Sequence, residues 1–176
     1  MLRSLFLNQL NSRMNMESFN IQNKRIKKLT LLAILTALSV TFGFVAKIPT
    51  PTGLLTLVDA GIYFTAFYLG KKEGAIVGGL SAFLIDLLSS APQWMFISLF
   101  IHGAQGYFAG LKGGYRPLGL LLATVVMVGG YALSSVFMYG TGASIAELVP
   151  NFCQNGLGIV IGWLLYQAFK RVQSNK

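Results

Sequence analysis

Charged residues are scarce in this chain, and acidic residues are the scarcest of them. Only 11% of the 176 residues are charged, whereas about 25% are charged in an average soluble domain. Hydrophobic residues make up 54% of the chain. A water-soluble fold could not cover its surface with so few charges, so the composition excludes an ordinary soluble domain and favours a chain that lies in a lipid bilayer.

Cysteine and the common catalytic and metal-binding motifs are also lacking. The single Cys153 cannot form an internal disulfide, and neither paired cysteines nor a His-Glu-x2-His pattern indicates a metal site. No Gly-x4-Gly-Lys-Ser/Thr loop is present to hold the phosphates of ATP. We therefore expect no cofactor on this chain, and any energy for active transport must come from elsewhere.

Long apolar runs are what the sequence has in abundance. A membrane-spanning helix requires about 20 apolar residues, and six runs approach this length: residues 29–45, 54–69, 74–90, 92–111, 117–139 and 145–169. The second run is the weakest candidate because it is short and contains Asp59. Four prolines, Pro49, Pro51, Pro92 and Pro117, lie between the runs or in first turns, where a missing N–H costs little. The fold class predicted is an all-α bundle of six transmembrane helices.

The basic residues indicate the orientation of these spans. With six spans, every Lys and Arg except Lys47 falls on one side of the membrane, which the positive-inside rule identifies as cytoplasmic. Both termini are then cytoplasmic in a bacterial or archaeal cell membrane, with a basic tail over residues 1–28, a transmembrane domain over 29–170 and a short tail over 171–176. Met14 and Met16 are alternative start sites. The basic residues alternate with apolar runs and form no patch with stacking aromatics, which argues against nucleic acid.

Polar residues inside the predicted spans cluster in the outer half of the bundle. Such residues are expensive in lipid and mark binding sites or pathways. His102 and Gln105 share one face of the fourth span, and Asn151 and Asn155 share one face of the sixth. A cavity with aromatic walls and a few polar groups is typical of a small-molecule site. The predicted substrate-binding residues are Asp59, Asp86, Trp94, His102, Gln105, Tyr139, Glu147, Asn151 and Asn155.

Most of these residues also have a purely structural interpretation, which is hardest to give for Asn151 and Asn155, because two amides on one face of a span need partners. Asp59 and Glu147 could complement the positive ends of their helices, and Trp94 and Tyr139 could be interfacial belt residues. His102 could simply pack in the bundle. Asp86 could extend to the outer surface.

The first outward loop and the small residues carry further predictions. The loop contains Pro49, Thr50, Pro51, Thr52 and Gly53 and is either a plain connector or a lid over the cavity. Small residues four apart, which let helices approach closely in lipid, occur in several spans: Ala33 and Ala37, Gly74 and Gly78, Gly106 and Gly110, and Gly158 and Gly162.

In order and spacing, these features resemble the substrate-binding S components of energy-coupling factor (ECF) vitamin transporters. The resemblance extends over nearly the whole chain from about Lys28. It rests on Ala33-x3-Ala37, the IPTPTG loop followed by Asp59, the segment FYLGKKEGAIVGGLSAFLIDLL, and IHGAQGYFAGL in the fourth span. The resemblance implies a vitamin or vitamin precursor bound in the outer half, under a lid made by the first outer loop.

The resemblance also implies partners. An S component works with a membrane coupling protein, the T component, and with two ABC-type ATPases that use the ATP. In that family the small-residue motif of the first span docks on the coupling protein, which carries over to Ala33 and Ala37 here. Because the predicted site contains no Lys or Arg, it favours a neutral or weakly basic ring, such as hydroxymethylpyrimidine or a pyridoxine-like ring. Riboflavin and pantothenate stay open.

Two other functions remain alternatives at this point. The polar faces could line a continuous path in a stand-alone small secondary transporter or channel. An intramembrane enzyme is the weaker alternative, because Gly79-Leu80-Ser81-Ala82 resembles a nucleophile turn and His102 lies on the next span. The simpler interpretation of Ser81 is a small hydroxyl that bonds to its own helix backbone.

Overall fold

The computed structural model describes residues 2–50 and 53–175, with only the backbone for residues 2–12, 14 and 15. Within this part of the chain, six α-helices account for most residues: α1 (Leu2–Val45), α2 (Val58–Tyr68), α3 (Lys71–Leu88), α4 (Met95–Ala109), α5 (Arg116–Tyr139) and α6 (Thr141–Ser174). Two short strands, β1 (Lys47–Pro49) and β2 (Leu54–Thr56), connect α1 to α2, and a 3-10 turn at Gly113–Tyr115 precedes α5.

The chain divides into two compact units, Met1–Ile34 and Leu35–Lys176. The first unit is helical wherever it is described, so the predicted basic tail over residues 1–28 is helical from Leu2. The second unit contains the end of α1, the strand hairpin and helices α2 to α6. All features of the candidate site lie in this second unit.

Membrane-spanning character is clearest in the longest helices. Among the described residues, three segments are long and apolar enough to cross a bilayer: Met16–Val45, Gly113–Tyr139 and Thr141–Ser174. Large apolar side chains such as Phe100, Phe137 and Phe152 are exposed on the helix surfaces. An exposed apolar surface of this kind is what a helical bundle presents to lipid.

The second predicted span, residues 54–69, is only partly helical. Its first residues form β2, which pairs antiparallel with β1 so that Lys47 lies opposite Thr56 and Pro49 opposite Leu54. The helix begins at Val58 and contains 11 residues, about 16 Å at 1.5 Å per residue. The prediction of a helix from residue 54 was wrong because a short apolar run does not distinguish a strand from a helix. Pairing with β1 satisfies the backbone groups that a helix would have bonded internally.

Helices α3 and α4 are in direct backbone contact through glycines. A Cβ atom on Gly74 would lie 2.5 Å from the carbonyl oxygen of Gly106, and one on Gly79 would lie 2.9 Å from that of Leu99. Real Cβ atoms do not approach other atoms so closely, so only glycine fits at these positions. Such close packing replaces the hydrophobic drive that is missing between helices in lipid.

A cluster of buried apolar residues lies at the end of the bundle away from the strand hairpin. It consists of buried side chains from α2, α4 and α5: Tyr63, Ala66, Phe67, Ala109 and Ala123. Small alanines face large aromatics in this cluster, which lets the layers interlock. The other end of the same helices, beside the hairpin, is hollow.

Candidate substrate-binding site

A cavity of about 40 Å³ lies at the hairpin end of the bundle, enclosed by β2 and helices α2 to α6. Apolar residues on its wall include Leu54, Val58, Ala82 and Ile85. The polar and aromatic residues on the wall are Thr56, Asp86, Trp94, Ser98, His102, Tyr131, Ser135, Glu147, Asn151 and Gln154. Among the described residues that line it, none is a lysine or arginine.

The strand hairpin forms one side of the cavity. Gly53 lies on the wall, and its N–H donates to Thr50 Oγ1 at 3.0 Å while the Thr50 N–H donates to the Gly53 carbonyl at 3.0 Å. The Thr56 N–H donates to Gln154 Oε1 at 2.7 Å, which ties the hairpin to α6. Pro49 is exposed at the end of β1. The position of the hairpin suits a lid; Pro51 and Thr52, also predicted to belong to the lid, lie outside the described residues.

Two aromatic rings, those of Trp94 and Tyr131, and the imidazole of His102 form a continuous aromatic wall, and the Tyr139 ring packs against Trp94 from outside it. The Trp94 ring centroid lies 5.6 Å from that of Tyr131 and 5.9 Å from that of Tyr139. The His102 ring lies 5.6 Å from Tyr131 at an interplanar angle of 62°. Offset and edge-to-face arrangements at these distances are the favourable ones for aromatic pairs. This wall can hold a flat heteroaromatic ring.

Two polar atoms on the wall have no hydrogen-bond partner among the described residues. They are Oδ2 of Asp86, at the end of α3, and Oγ of Ser135 on α5. A buried polar group that lacks a partner costs about 1–3 kcal/mol, so native proteins rarely leave one without a reason. A ligand in the cavity could supply the missing partners.

A buried hydrogen-bond network lies directly beneath the cavity. Gln105 Nε2 donates to Asp59 Oδ2 at 3.1 Å and to Asn155 Oδ1 at 3.0 Å, and the Tyr63 hydroxyl donates to the same Asn155 oxygen at 2.5 Å. His102 joins this network to the cavity, because its Nδ1 lies 2.6 Å from Gln105 Oε1 and 3.3 Å from Asp59 Oδ1. The network satisfies polar groups that would otherwise be costly in a membrane.

The predicted site residues thus occupy three positions. On the cavity wall lie Asp86, Trp94, His102, Glu147 and Asn151. Beneath the wall lie Asp59, Gln105 and Asn155, each almost fully buried. Tyr139 lies outside the wall, is 45% exposed, and packs its ring against Trp94.

The prediction did not include several residues on the wall: Thr56, Ser98, Tyr131, Ser135 and Gln154. For Tyr131 a sequence signal existed, because Tyr131, Ser135 and Tyr139 recur at four-residue spacing and share one face of α5. Tyr131 also bonds through its hydroxyl to Ser98 Oγ at 2.5 Å. It occupies a central place on the wall.

The arrangement gives no support to catalysis. Ser81 is fully buried, and its hydroxyl has no hydrogen-bond partner among the described residues, so the expected bond to its own helix is not formed. His102 Nδ1 is engaged by Gln105. Within the described part of the chain, no group of three or more His, Cys, Asp or Glu side chains is placed to hold a metal ion.

Comparisons with known proteins agree on one family. The model of the ECF-type riboflavin transporter S component family matches residues 23–171. The chain is 49% identical over 154 residues to the thiamine precursor transporter HmpT of Lactococcus lactis subsp. cremoris (strain MG1363), covering 86% of this chain and 92% of that protein. It is 34% identical over 121 residues to an uncharacterized protein of Pyrococcus woesei, covering 65% of this chain and 81% of that protein.

The fold agrees with this assignment. The chain superposes on the solved structure of the S component of a bacterial ECF transporter with a TM-score of 0.68 at 20% identity, covering 85% of this chain and 98% of that one. At that identity the likeness establishes the fold. The chain therefore belongs to the ECF-type riboflavin transporter S component family, whose members are multi-pass membrane transporter subunits and not enzymes.

Proposed function

We propose that this chain captures a thiamine precursor of the hydroxymethylpyrimidine type in the cavity beneath the strand hairpin. The observation that carries this proposal is the 49% identity, across most of both chains, to a protein named as a thiamine precursor transporter. The family model bears the name of riboflavin. The choice between these ligands therefore depends on the properties of the cavity.

The size of the cavity supports a small ring. A volume of about 40 Å³ holds about three water molecules if each requires roughly 10–15 Å³. A single pyrimidine ring needs a modest opening of the hairpin to enter this space. Riboflavin, with three fused rings and a sugar-alcohol chain, would need a far larger rearrangement.

The polar groups of the wall support a ligand that donates hydrogen bonds. Asp86 and Glu147 both line the cavity, and no lysine or arginine is found among the described lining residues. This wall therefore offers no lysine or arginine to pair with the carboxylate of pantothenate. An aminopyrimidine with a hydroxymethyl group offers N–H and O–H donors, which can bond to the free Oδ2 of Asp86 and to Ser135 Oγ.

The same proposal includes partners that hydrolyse ATP. Ala33 and Ala37 lie one turn apart on α1, and both are exposed. A small-residue pair on an exposed helix face allows another helix to approach closely. We expect this face to dock on a membrane coupling protein that is joined to two ABC-type ATPases, while this chain itself binds no cofactor.

A ligand-binding series tests the substrate. Purified protein in detergent is titrated calorimetrically with hydroxymethylpyrimidine, pyridoxine, riboflavin and pantothenate. We expect the pyrimidine to bind most tightly and pantothenate most weakly. Tight binding of riboflavin with no detectable binding of the pyrimidine would show that the family name, and not the related transporter, indicates the ligand.

An uptake assay tests the mode of transport. Vesicles that contain this chain alone should bind the ligand without concentrating it, whereas vesicles that also contain the coupling protein, both ATPases and ATP should concentrate it. Uptake by this chain alone, driven by a proton gradient, would instead support a stand-alone secondary transporter.

A further inference from the structure

A directed chain of hydrogen bonds leads from a helix backbone to the cavity. It begins at the carbonyl of Leu120 on α5, to which the Thr124 hydroxyl donates at 2.9 Å. A carbonyl can only accept, so the single hydroxyl hydrogen of Thr124 is used there. The Thr124 oxygen is therefore an acceptor, and the side chain that contacts it must present a donor.

Asn155 is that side chain, and its orientation follows from Thr124. Its Nδ2 donates to Thr124 Oγ1 at 2.7 Å, so its Oδ1 faces the other way, towards Tyr63 and Gln105. The Tyr63 hydroxyl donates to Oδ1 at 2.5 Å and Gln105 Nε2 donates to it at 3.0 Å. Both lone pairs of this oxygen are thus occupied. Because Asn155 presents an acceptor to Gln105, the Gln105 side chain must present its donor, the amide nitrogen.

The orientation of the Gln105 amide in turn determines which ring nitrogen of His102 carries the hydrogen. With Nε2 directed at Asn155 and Asp59, the Gln105 Oε1 faces His102 Nδ1 at 2.6 Å. An amide oxygen has no hydrogen to donate, so Nδ1 must carry the hydrogen. In a neutral imidazole the other nitrogen, Nε2, is then the one with the free lone pair. Since His102 lines the cavity, Nε2 is the ring nitrogen available to a ligand.

We infer that Gln105 is a positioning residue that holds His102 as the Nδ1–H tautomer, and that the site consequently selects ligands that donate a hydrogen bond to His102 Nε2. This inference rests on the proposed function for the identity of the site and deepens it with a rule for the ligand. A suitable ligand carries an N–H or O–H group at the position that meets His102. A ring that offers only acceptors there leaves Nε2 without a partner.

Asp59 approaches the same ring nitrogen. Its Oδ1 lies 3.3 Å from His102 Nδ1, so it is a second acceptor within reach of the Nδ1 hydrogen. Gln105 also positions this carboxyl group, because its Nε2 donates to Asp59 Oδ2 at 3.1 Å.

Nitrogen-15 NMR can decide the tautomer directly. His102 is the single histidine of the chain, so protein labelled with 15N-histidine and purified through a tag without histidine gives one pair of ring nitrogen signals. We expect a protonated Nδ1 and an unprotonated Nε2 at neutral pH in the absence of ligand. The Nε2–H tautomer, or an imidazolium with two protonated nitrogens, would overturn the inference.

The origin of the constraint is tested at Thr124, which lies outside the cavity wall. Thr124→Val keeps the shape but removes the acceptor of Asn155, so the Nε2–H tautomer should gain population and affinity should fall roughly fivefold, the effect of one typical hydrogen bond. Thr124→Ser keeps the hydroxyl and its bond to Leu120, and should restore the wild-type spectrum and affinity. If the Thr124→Val protein folds and its spectrum is unchanged, the hydrogen bonds that begin at Thr124 do not determine the tautomer of His102.

The ligand rule is tested by titration of the labelled protein with hydroxymethylpyrimidine. A donor on the ligand should shift the Nε2 signal upfield and leave Nδ1 almost unchanged. A ligand that binds and moves Nδ1 instead would contradict the rule. If the pyrimidine does not bind at all, the proposed substrate is wrong, whereas the tautomer of the ligand-free protein still decides the inference about Gln105.

Discussion

The two ends of the same bundle differ in what lies between their helices. At the end away from the hairpin, which we call the closed end, glycines such as Gly74 and Gly106 bring the backbones of α3 and α4 into contact. At the hairpin end, which we call the hollow end, α3 and α4 still touch at Gly79 and Leu99, but Ser98 and His102 of α4 line a cavity that the other helices also enclose. The close approach of α3 and α4 is therefore common to both ends, and the cavity with its polar lining distinguishes the hollow end.

The polar groups follow the same division. The closed end contains an apolar cluster that includes Phe67 and Ala109. The hollow end contains polar groups in two layers. One is the network beneath the cavity, in which Asp59 Oδ1 lies 3.3 Å from His102 Nδ1, and the other is on the wall, with unpaired atoms at Asp86 and Ser135. The apolar cluster at the closed end contributes to stability, and the unpaired groups on the wall provide a place for a ligand.

The largest expected effect comes from breaking the closed end. A Cβ at position 106 would collide with the backbone of Gly74, so Gly106→Ala should lower stability by about 3 kcal/mol, the upper part of the range for overpacking. Thermal unfolding in detergent measures this change. Gly129→Ala is the matched control, because nothing lies within 4 Å of its new methyl group; equal melting temperatures for the two variants would show that the glycine contact is unimportant.

A smaller loss is expected from breaking the hollow end. His102→Ala or Asn151→Ala should weaken ligand binding by about 1–3 kcal/mol, because each removes a polar group that faces the cavity. Calorimetry with hydroxymethylpyrimidine measures the affinity. Cys153→Ala, at an exposed position on the same helix as Asn151, is the control and should bind normally. If His102→Ala and Asn151→Ala also bind normally, both residues serve packing only.

A comparison of two tyrosine variants on α5 tests where the cavity wall ends. Tyr131→Phe loses the hydrogen bond to Ser98 on the cavity wall and should weaken ligand binding by about 1 kcal/mol. Tyr139→Phe should have no effect on affinity, because Tyr139 packs outside the wall against Trp94. If Tyr139→Phe weakens binding more than Tyr131→Phe does, the ligand lies closer to the C-terminal end of α5 than we propose.

No effect on the cavity is expected from the exposed face of α1. Ala37→Leu should leave ligand affinity unchanged but reduce co-purification with the coupling protein, because added bulk prevents close helix approach. Ala168→Leu introduces the same bulk at an exposed position on α6 and should leave co-purification intact. Equal recovery of the coupling protein with both variants would place its docking surface elsewhere.

Prediction from sequence was most successful for the long helices. The fifth predicted span, residues 117–139, matches α5 at Arg116–Tyr139, because a sustained apolar run between turn residues has few other structures open to it. The second span failed at its start, where Leu54–Thr56 pairs with β1. Strand pairing depends on a distant partner, and a local apolar count contains no information about it.

Within the site, the sequence predicted which residues are unusual and left their neighbours undetermined. A carboxylate, an indole or an imidazole in an apolar run is costly, so Asp86, Trp94 and His102 were recognisable one at a time, and the structure places all three on the wall. Tyr131 was missed because a single tyrosine is unremarkable in such a run, and only its four-residue spacing to Ser135 and Tyr139 distinguished it. Asp59, Gln105 and Asn155 were predicted to bind the substrate, and they lie beneath the wall.

The sequence by itself determined that this protein lies in a lipid bilayer, that it is a bundle of six helices, and which family it belongs to. These properties depend on composition, order and spacing along the chain. Only the tertiary structure decided which polar residues meet. The rotation of each helix about its axis determines whether a side chain faces the cavity, the network or lipid, and contacts such as that between Gly74 and Gly106 set the rotation. The direction of the hydrogen bonds from Leu120 to His102 likewise exists only when α4, α5 and α6 are assembled.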